Sequence, residues 1–316
     1  MYRAYWAIPR TLTTKAGEQV NAVFGMASML LSILKIEQPD AVLLCFDAGE
    51  ETFRHQENAT YKEGMAETPD DFYVQIPRIM ELVSAMSLAH VSDPRYEADD
   101  FLCTYARLGE QAGMRVTIVT GDRDALQLAS DTVRIAIPHK GYQQAEYLGP
   151  KEIEAKYGVR PDQVPAYNGL TGDTSDNLPG VKGIGPKTAA ELLQTYGTLE
   201  GVYENLSDIR ESVRKKLDAD REQAFFCQRM ARLVCDISPP ISLDALSMHD
   251  VSPGRMQVFF RTMEFSLLAR RLHDLLQTPF GRKTFVQDTE ETSSFANATG
   301  DKKEAEDMTL RQMTLF

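Results

Sequence analysis

The sequence predicts an α/β fold, a mostly parallel sheet flanked by helices and followed by a helical domain. Two short apolar runs, Ala41–Phe46 and Arg115–Thr120, each stop just before aspartates, as strands covered on both faces do. Amphipathic patterns lie before and between them, and such alternation favours a parallel sheet. Beyond about Pro150 helix follows helix.

From Ala16 to Ile36 the apolar residues Val20, Val23, Phe24, Ala27, Leu30, Leu31 and Leu34 recur at helical spacing, so this stretch should bury one face. The Ala41–Phe46 strand follows and ends in Asp47. Helices are expected over 70–86 and 98–111. The second strand, from Arg115, leads into Gly121-Asp122-Arg123-Asp124. Ligands of such sheets sit beyond the carboxyl ends of the strands, where Asp47, Asp122 and Asp124 fall. Pro161, Pro165, Pro179 and Pro186 punctuate the helical part. From Gln287 polar and charged residues dominate, which predicts a disordered tail. The expected division is therefore 1–148, 149–280 and 281–316.

A chain of 316 residues, 43% hydrophobic and 25% charged, has the composition of a soluble globular protein. No apolar run approaches the roughly 20 residues of a membrane span, and the N-terminus lacks a leader pattern, so a cytoplasmic location is expected, and nothing demands more than a monomer. Cys45, Cys103, Cys227 and Cys235 lack the close pairs of a zinc site and are expected to be reduced. The net charge of −12 argues against a uniformly basic nucleic-acid binder. It leaves DNA open as a partner, because acids gathered around divalent cations attract phosphate once loaded.

The densest local pattern is Glu97-Ala98-Asp99-Asp100 at a helix start. Alone it would read as capping, since acids in a first turn suit the helix dipole. Asp47, Asp122 and Asp124 at strand ends, with Asp173 and Asp176 in Gly172-Asp173-Thr174-Ser175-Asp176-Asn177, change that reading. Gathered at one edge, these carboxylates would repel one another unless cations neutralised them. Oxygen donors without His or Cys select Mg²⁺, with Mn²⁺ as a substitute. Two such ions about 4 Å apart can drive phosphodiester hydrolysis.

Phe46-Asp47-Ala48, Phe53-Arg54-His55, Tyr61-Lys62, Tyr96 to Asp100, Thr120 to Asp124 and Leu170 to Gly185 stand in the order found in the bacterial five-prime nucleases. The chain resembles that family, which includes the N-terminal nuclease domain of bacterial DNA polymerase I, from Tyr2 to about Leu276. The resemblance implies a PIN-like sheet and a helix-three-turn-helix that grips duplex DNA beside the cut. It also implies that the 53–62 region arches over a single-stranded 5′ end. Arg54 and Lys62 would then contact the scissile phosphate, Tyr61 would stack on a base, and a potassium ion would sit at the glycine turn. Family members have a first strand ending in a metal-ligating Asp-Gly just before a Tyr-Arg-Ala segment. This sequence starts at Met1-Tyr2-Arg3-Ala4. The resemblance therefore implies a central strand and an Asp ahead of Met1, outside the sequence through a late start or truncation. The other reading is a member that has lost that ligand.

In Gly180-Val181-Lys182-Gly183-Ile184-Gly185-Pro186-Lys187-Thr188 the phosphate-loop reading fails, because Pro186 follows the last glycine and no strand leads in. A helix-hairpin-helix turn fits better: Gly180, Gly183 and Gly185 let amides near a DNA phosphate, while Lys182, Lys187 and Thr188 add contacts without reading sequence. The last residues, with Gln312, Leu315 and Phe316, resemble the peptide by which bacterial repair proteins dock on the sliding clamp. The function expected is a structure-selective 5′-3′ exonuclease or flap endonuclease. The alternatives are a non-catalytic DNA-junction binder tethered to the clamp, and a ribonuclease with the same type of metal site.

Overall fold

The computed structural model describes residues 2–49, 51–63, 68–248, 251–286 and 311–316. Six strands form one sheet: β1 Ala41–Cys45, β2 Ala89–Val91, β3 Arg115–Val119, β4 Val133–His139, β5 Gly141–Leu148 and β6 Gln312–Leu315. Their spatial order is β2-β1-β6-β3-β4-β5, and only the β4–β5 hairpin at one edge is antiparallel. The central run is parallel, as a sheet covered on both faces must be.

Alternate residues of each strand face opposite layers. Leu43 and Cys45 of β1, Val116 and Ile118 of β3, and Met313 and Leu315 of β6 enter a core shared with the Ala98–Gln111 helix and with the helices that follow Pro150. Val42 and Leu44 face the other way, into a core built with the Asn21–Glu37, Ile76–Ala85 and Ser266–Leu276 helices. The expected 70–86 helix is broken into Asp70–Tyr73 and Ile76–Ala85. Pro77, tolerated in a first helical turn, restarts the chain there.

Two expectations about covalent and tail structure are corrected. Cys103 and Cys235 are joined as a disulfide across a Cα–Cα distance of 4.9 Å, within bridging range, while Cys45 and Cys227 are free and buried. The tail expected to be disordered ends in β6, which lies in the centre of the sheet between β1 and β3. The expectation for 287–310 lies outside the described residues. Met313, Thr314 and Leu315 have no exposed surface, so the peptide expected to meet a clamp is internal here. Its apolar alternation suits a two-faced slot, which outweighs the tendency of a short terminal segment to stay in water.

At the amino ends of the strands Glu37 joins the layers. Its buried carboxylate accepts hydrogen bonds from Tyr142 (2.6 Å), Tyr147 (2.7 Å), Thr117 (3.1 Å), Arg134 (2.7 Å) and the Gln312 amide (2.8 Å). Burial works against its charge, but the two phenols and Arg134 outweigh burial and hold its pKa below the usual value. No described helix is long and apolar enough to cross a membrane.

Candidate active site

The carboxylates meet at the carboxyl end of the sheet. Asp47 follows β1, Asp122 follows β3, Glu97 and Asp99 sit at the start of the 98–111 helix, and Asp124 begins a short 3₁₀ turn. Asp173 and Asp176 arrive from the helical side on a tight loop closed by paired hydrogen bonds between Asp173 and Leu178 (2.8 and 2.7 Å). That loop needs two glycines back to back. Gly172 (φ +72°) and Gly180 (φ +62°) are both left-handed, and a Cβ on Gly180 would lie 2.2 Å from the Gly172 nitrogen.

Burial together with their proximity raises the pKa of three of them, Asp99, Asp124 and Asp176. Asp99 is pushed well up by burial and then by the charges of Asp122 and Asp47. Asp124 is pushed up by burial, then by Asp122, Asp176, Asp173 and Asp99. Asp176 is raised to about 6, chiefly by burial, with Lys62 opposing and Asp122 and Asp173 adding to the shift. Asp47 and Asp122 are exposed. Each has one oxygen held by backbone, Asp47 by the Ala98 amide (2.8 Å) and Asp122 by the Asp124 amide (2.8 Å). Asp124 is fixed by Asn168, whose amide donates to it at 2.6 Å.

No three of the described His, Cys, Asp or Glu side chains close tightly enough on one point to enclose a metal ion. The donor set nevertheless fits hard divalent ions. It is all carboxylate and partly open to solvent, and its mutual repulsion cations would relieve. Magnesium, which keeps several waters and takes few protein ligands, suits such an open cluster.

Three sequence expectations are corrected. Arg54 does not face a phosphate: it is 1% exposed, with a two-pronged pair of 2.8 Å bonds to Asp100 and further bonds to the carbonyls of Met230 (3.1 Å) and Arg232 (3.2 Å). Burial opposes its charge, but Asp100 and Glu97 together outweigh burial and raise its pKa. Asp100, fully buried, spends its oxygens on Arg54 and on the amides of Glu97 (3.1 Å) and Val234 (2.9 Å), so it is a helix cap and ion-pair partner rather than a metal ligand. Tyr61 is 4% exposed and donates towards Glu97 (3.2 Å) and Asp176 (3.1 Å), leaving no face for a base.

Lys62 does reach the site, with its ammonium 3.1 Å from Glu97. Burial lowers its pKa, but Glu97 and Asp176 outweigh that and raise it, so it is charged at neutral pH. Both Lys62 (φ +57°) and Asn177 (φ +56°) hold left-handed backbone conformations where two loops are zipped together. The Lys62 amide donates to the Asp176 backbone carbonyl (3.2 Å) and the Asn177 side chain to the Thr60 carbonyl (2.7 Å).

The glycine turn precedes the Pro186–Tyr196 helix, with Lys182, Gly183, Gly185 and Lys187 exposed and Thr188 half-buried. The Lys182 amide is taken by Asp220 (2.8 Å), and the Gly183 carbonyl accepts from the Lys216 ammonium (2.8 Å). Sequence reasoning missed Asn168, Asp220 and Lys216. Asn168 alone left a trace, since asparagine is a poor residue for a helix interior unless its side chain has a tertiary partner.

Residues 1–158 match the family model described as 5′-3′ exonuclease, N-terminal resolvase-like domain, and residues 159–253 match 5′-3′ exonuclease, C-terminal SAM fold. The chain belongs to the 5′-3′ exonuclease family. It is 41% identical over 280 residues to a thermostable DNA polymerase I of Thermus aquaticus, covering 88% of this chain and 32% of that one. It is 35% identical over 272 residues to DNA polymerase I of Bacillus subtilis, covering 86% and 31%. This 5′-3′ exonuclease family member thus spans about a third of the length of those relatives. In fold it is similar to T5 5′-exonuclease bound to zinc (TM-score 0.55, 17% identity, covering 80% of this chain and 89% of that one). It is also similar to the catalytic core of Rad2 in complex with DNA (TM-score 0.54, 16% identity, covering 81% and 84%).

Proposed function

We propose that the chain hydrolyses DNA phosphodiester bonds near 5′ ends or flap junctions, in primer or flap removal, as a cytoplasmic monomer dependent on Mg²⁺. The observation that supports this most is the convergence of Asp47, Glu97, Asp99, Asp122, Asp124, Asp173 and Asp176, drawn from separate stretches of chain, at the carboxyl end of one sheet. Asp47, Asp122 and Asp173 would hold divalent ions directly or through water, and those ions would supply Lewis-acid activation of water and neutralise developing charge. Lys62 would bring positive charge to the phosphate at the same edge. Arg54 acts one layer back, by fixing Asp100 and so the start of the helix that carries Asp99.

Duplex DNA would lie along the exposed Lys182 and Lys187 at the glycine turn, held through phosphates rather than bases. A potassium ion there has less support, because the Lys216 ammonium already serves the Gly183 carbonyl. Docking of Gln312, Leu315 and Phe316 on a sliding clamp would require the tail to leave the sheet.

A flap substrate labelled at its 5′ end tests the proposal. Cuts near the junction are expected with Mg²⁺ or Mn²⁺ and none with chelator. Tight flap binding without cleavage under any divalent ion would instead favour the junction-binding alternative.

A further inference from the structure

The segment after the Arg221–Ala231 helix has no regular hydrogen-bond ladder of its own. Residues 232–240 form neither helix nor strand, and tethers from elements of the site fix their place. From the 98–111 helix, which carries Asp99, Asp100 accepts from the Val234 amide (2.9 Å) and the Tyr105 hydroxyl donates to the Ile241 carbonyl (2.7 Å). Gln127, in the same 3₁₀ turn as Asp124, donates to the Ala231 carbonyl (2.9 Å) and accepts from the Leu233 amide (3.2 Å). Arg54, paired with Asp100, adds bonds to the Met230 and Arg232 carbonyls. This strap therefore braces both the helix start that presents Asp99 and the turn that presents Asp124.

The covalent tether among these is the Cys103–Cys235 bridge. Cys103 lies one turn along the helix from Asp100, on the same face, and Cys235 follows Val234, so the bond pins the strap beside the Asp100–Arg54 pair. Access to the two sulfurs differs. Cys103 is fully buried, whereas Cys235 is half-buried on the irregular segment, next to the exposed Asp236. A thiolate arriving from solvent meets Cys235, and access of that kind is what exchange requires. In a thiol-rich compartment such as the cytoplasm proposed above, protein disulfides are mostly transient and redox-sensing.

We propose that Cys103–Cys235 is a redox-active site for small thiols, and that opening it frees the strap and slows the reaction at the acid cluster. A thiolate attacks the Cys235 sulfur; the bridge breaks, Cys103 leaves with the electron pair and takes a proton, and Cys235 is held as a mixed disulfide. A second thiolate attacks the sulfur of the first, the small disulfide departs, and Cys235 leaves as a thiolate that takes a proton. Two small thiols are thereby oxidised to one disulfide and the protein bridge is reduced to two thiols. With the bridge open, hydrogen bonds alone hold the strap, and Asp99 and Asp124 can spread under their mutual repulsion. The effect on cleavage rests on the nuclease reading; the thiol exchange does not.

The test treats the oxidised full chain with reduced glutathione under native conditions, then alkylates it in denaturant and maps the label by mass spectrometry. Label is expected on Cys45 and Cys227 alone before treatment and on Cys103 and Cys235 as well after it, with trapped glutathione on Cys235. Hydrogen exchange should rise over 98–104 and 230–241 in the reduced chain and stay unchanged over 186–196. Flap cleavage with Mg²⁺ should fall about fivefold or more on reduction and return with oxidised glutathione. Cys235→Ser should stay at the reduced level in either buffer. A bridge that glutathione leaves intact, glutathione trapped on Cys103 instead, exchange over 230–241 that ignores reduction, or cleavage equal in the two redox states would each overturn the proposal. So would deprotection of 186–196 together with the strap, which is unfolding of the whole chain. No cleavage in either state, with the thiol and exchange results as expected, would count against the nuclease reading alone.

Discussion

Asp176 sits where a negative charge is least welcome. Its carboxyl is held at about 6 against a usual 3.8, so between those values the folded chain keeps a proton that the unfolded chain has lost. Stability should therefore fall as pH rises from about 4 to about 6 and stay lower above that. In chelator, Asp176→Asn should equal the wild type near pH 4 and exceed it at pH 7 by on the order of 2 kcal/mol, read from urea titrations. A divalent ion favours the charged form and should shrink that gap. Arg54 carries the opposite kind of prediction. Arg54→Met leaves Asp100 buried without its cation, which typically costs about 3–5 kcal/mol, visible as a lower denaturation midpoint. Asp122→Asn and Asp173→Asn, at the open part of the cluster, should keep the fold by circular dichroism and lose flap cleavage by about 100-fold or more, because they remove ligand charge from where the ions would sit. The acids were legible from their positions at strand and helix ends. The true partners of Arg54, Asp100 and Tyr61 were not, since residues 54, 61, 100, 176 and 230 meet only in the folded chain.

Among the elements, the strands written as continuous apolar runs were readable and the others were not. β1 and β3 announce themselves by Val, Leu and Ile in sequence. β2 has three residues, and β4–β5 mixes exposed and buried positions around a bulge near His139, so neither carries a clean period. β6 gives four residues after a long polar stretch, and only the vacancy between β1 and β3 makes it a strand. The Asp173–Leu178 loop gives a prediction at this scale. Gly180→Ala forces a Cβ against the Gly172 backbone at a left-handed position, so a loss of about 2 kcal/mol or more and a lower melting temperature are expected.

At the scale of the molecule, the Cys103–Cys235 bridge ties the 98–111 helix to the segment after the Arg221–Ala231 helix, across 132 residues of sequence. A closed loop of that length restricts the unfolded chain by an entropy equivalent to roughly 4–5 kcal/mol in the simplest treatment. Reductant should accordingly lower the melting temperature of the wild type and leave Cys103→Ser unchanged.

Glu37 has a consequence for how the strands find their alignment. Moving β6 by two residues against its neighbours would leave Met313 and Leu315 facing their present layer, so the in-out alternation by itself does not reject the slip. It would, however, carry the Gln312 amide away from Glu37 and leave that anion short of a donor in a dry interior. The carboxylate thus adds a check on threading, rejecting frames that alternation would accept.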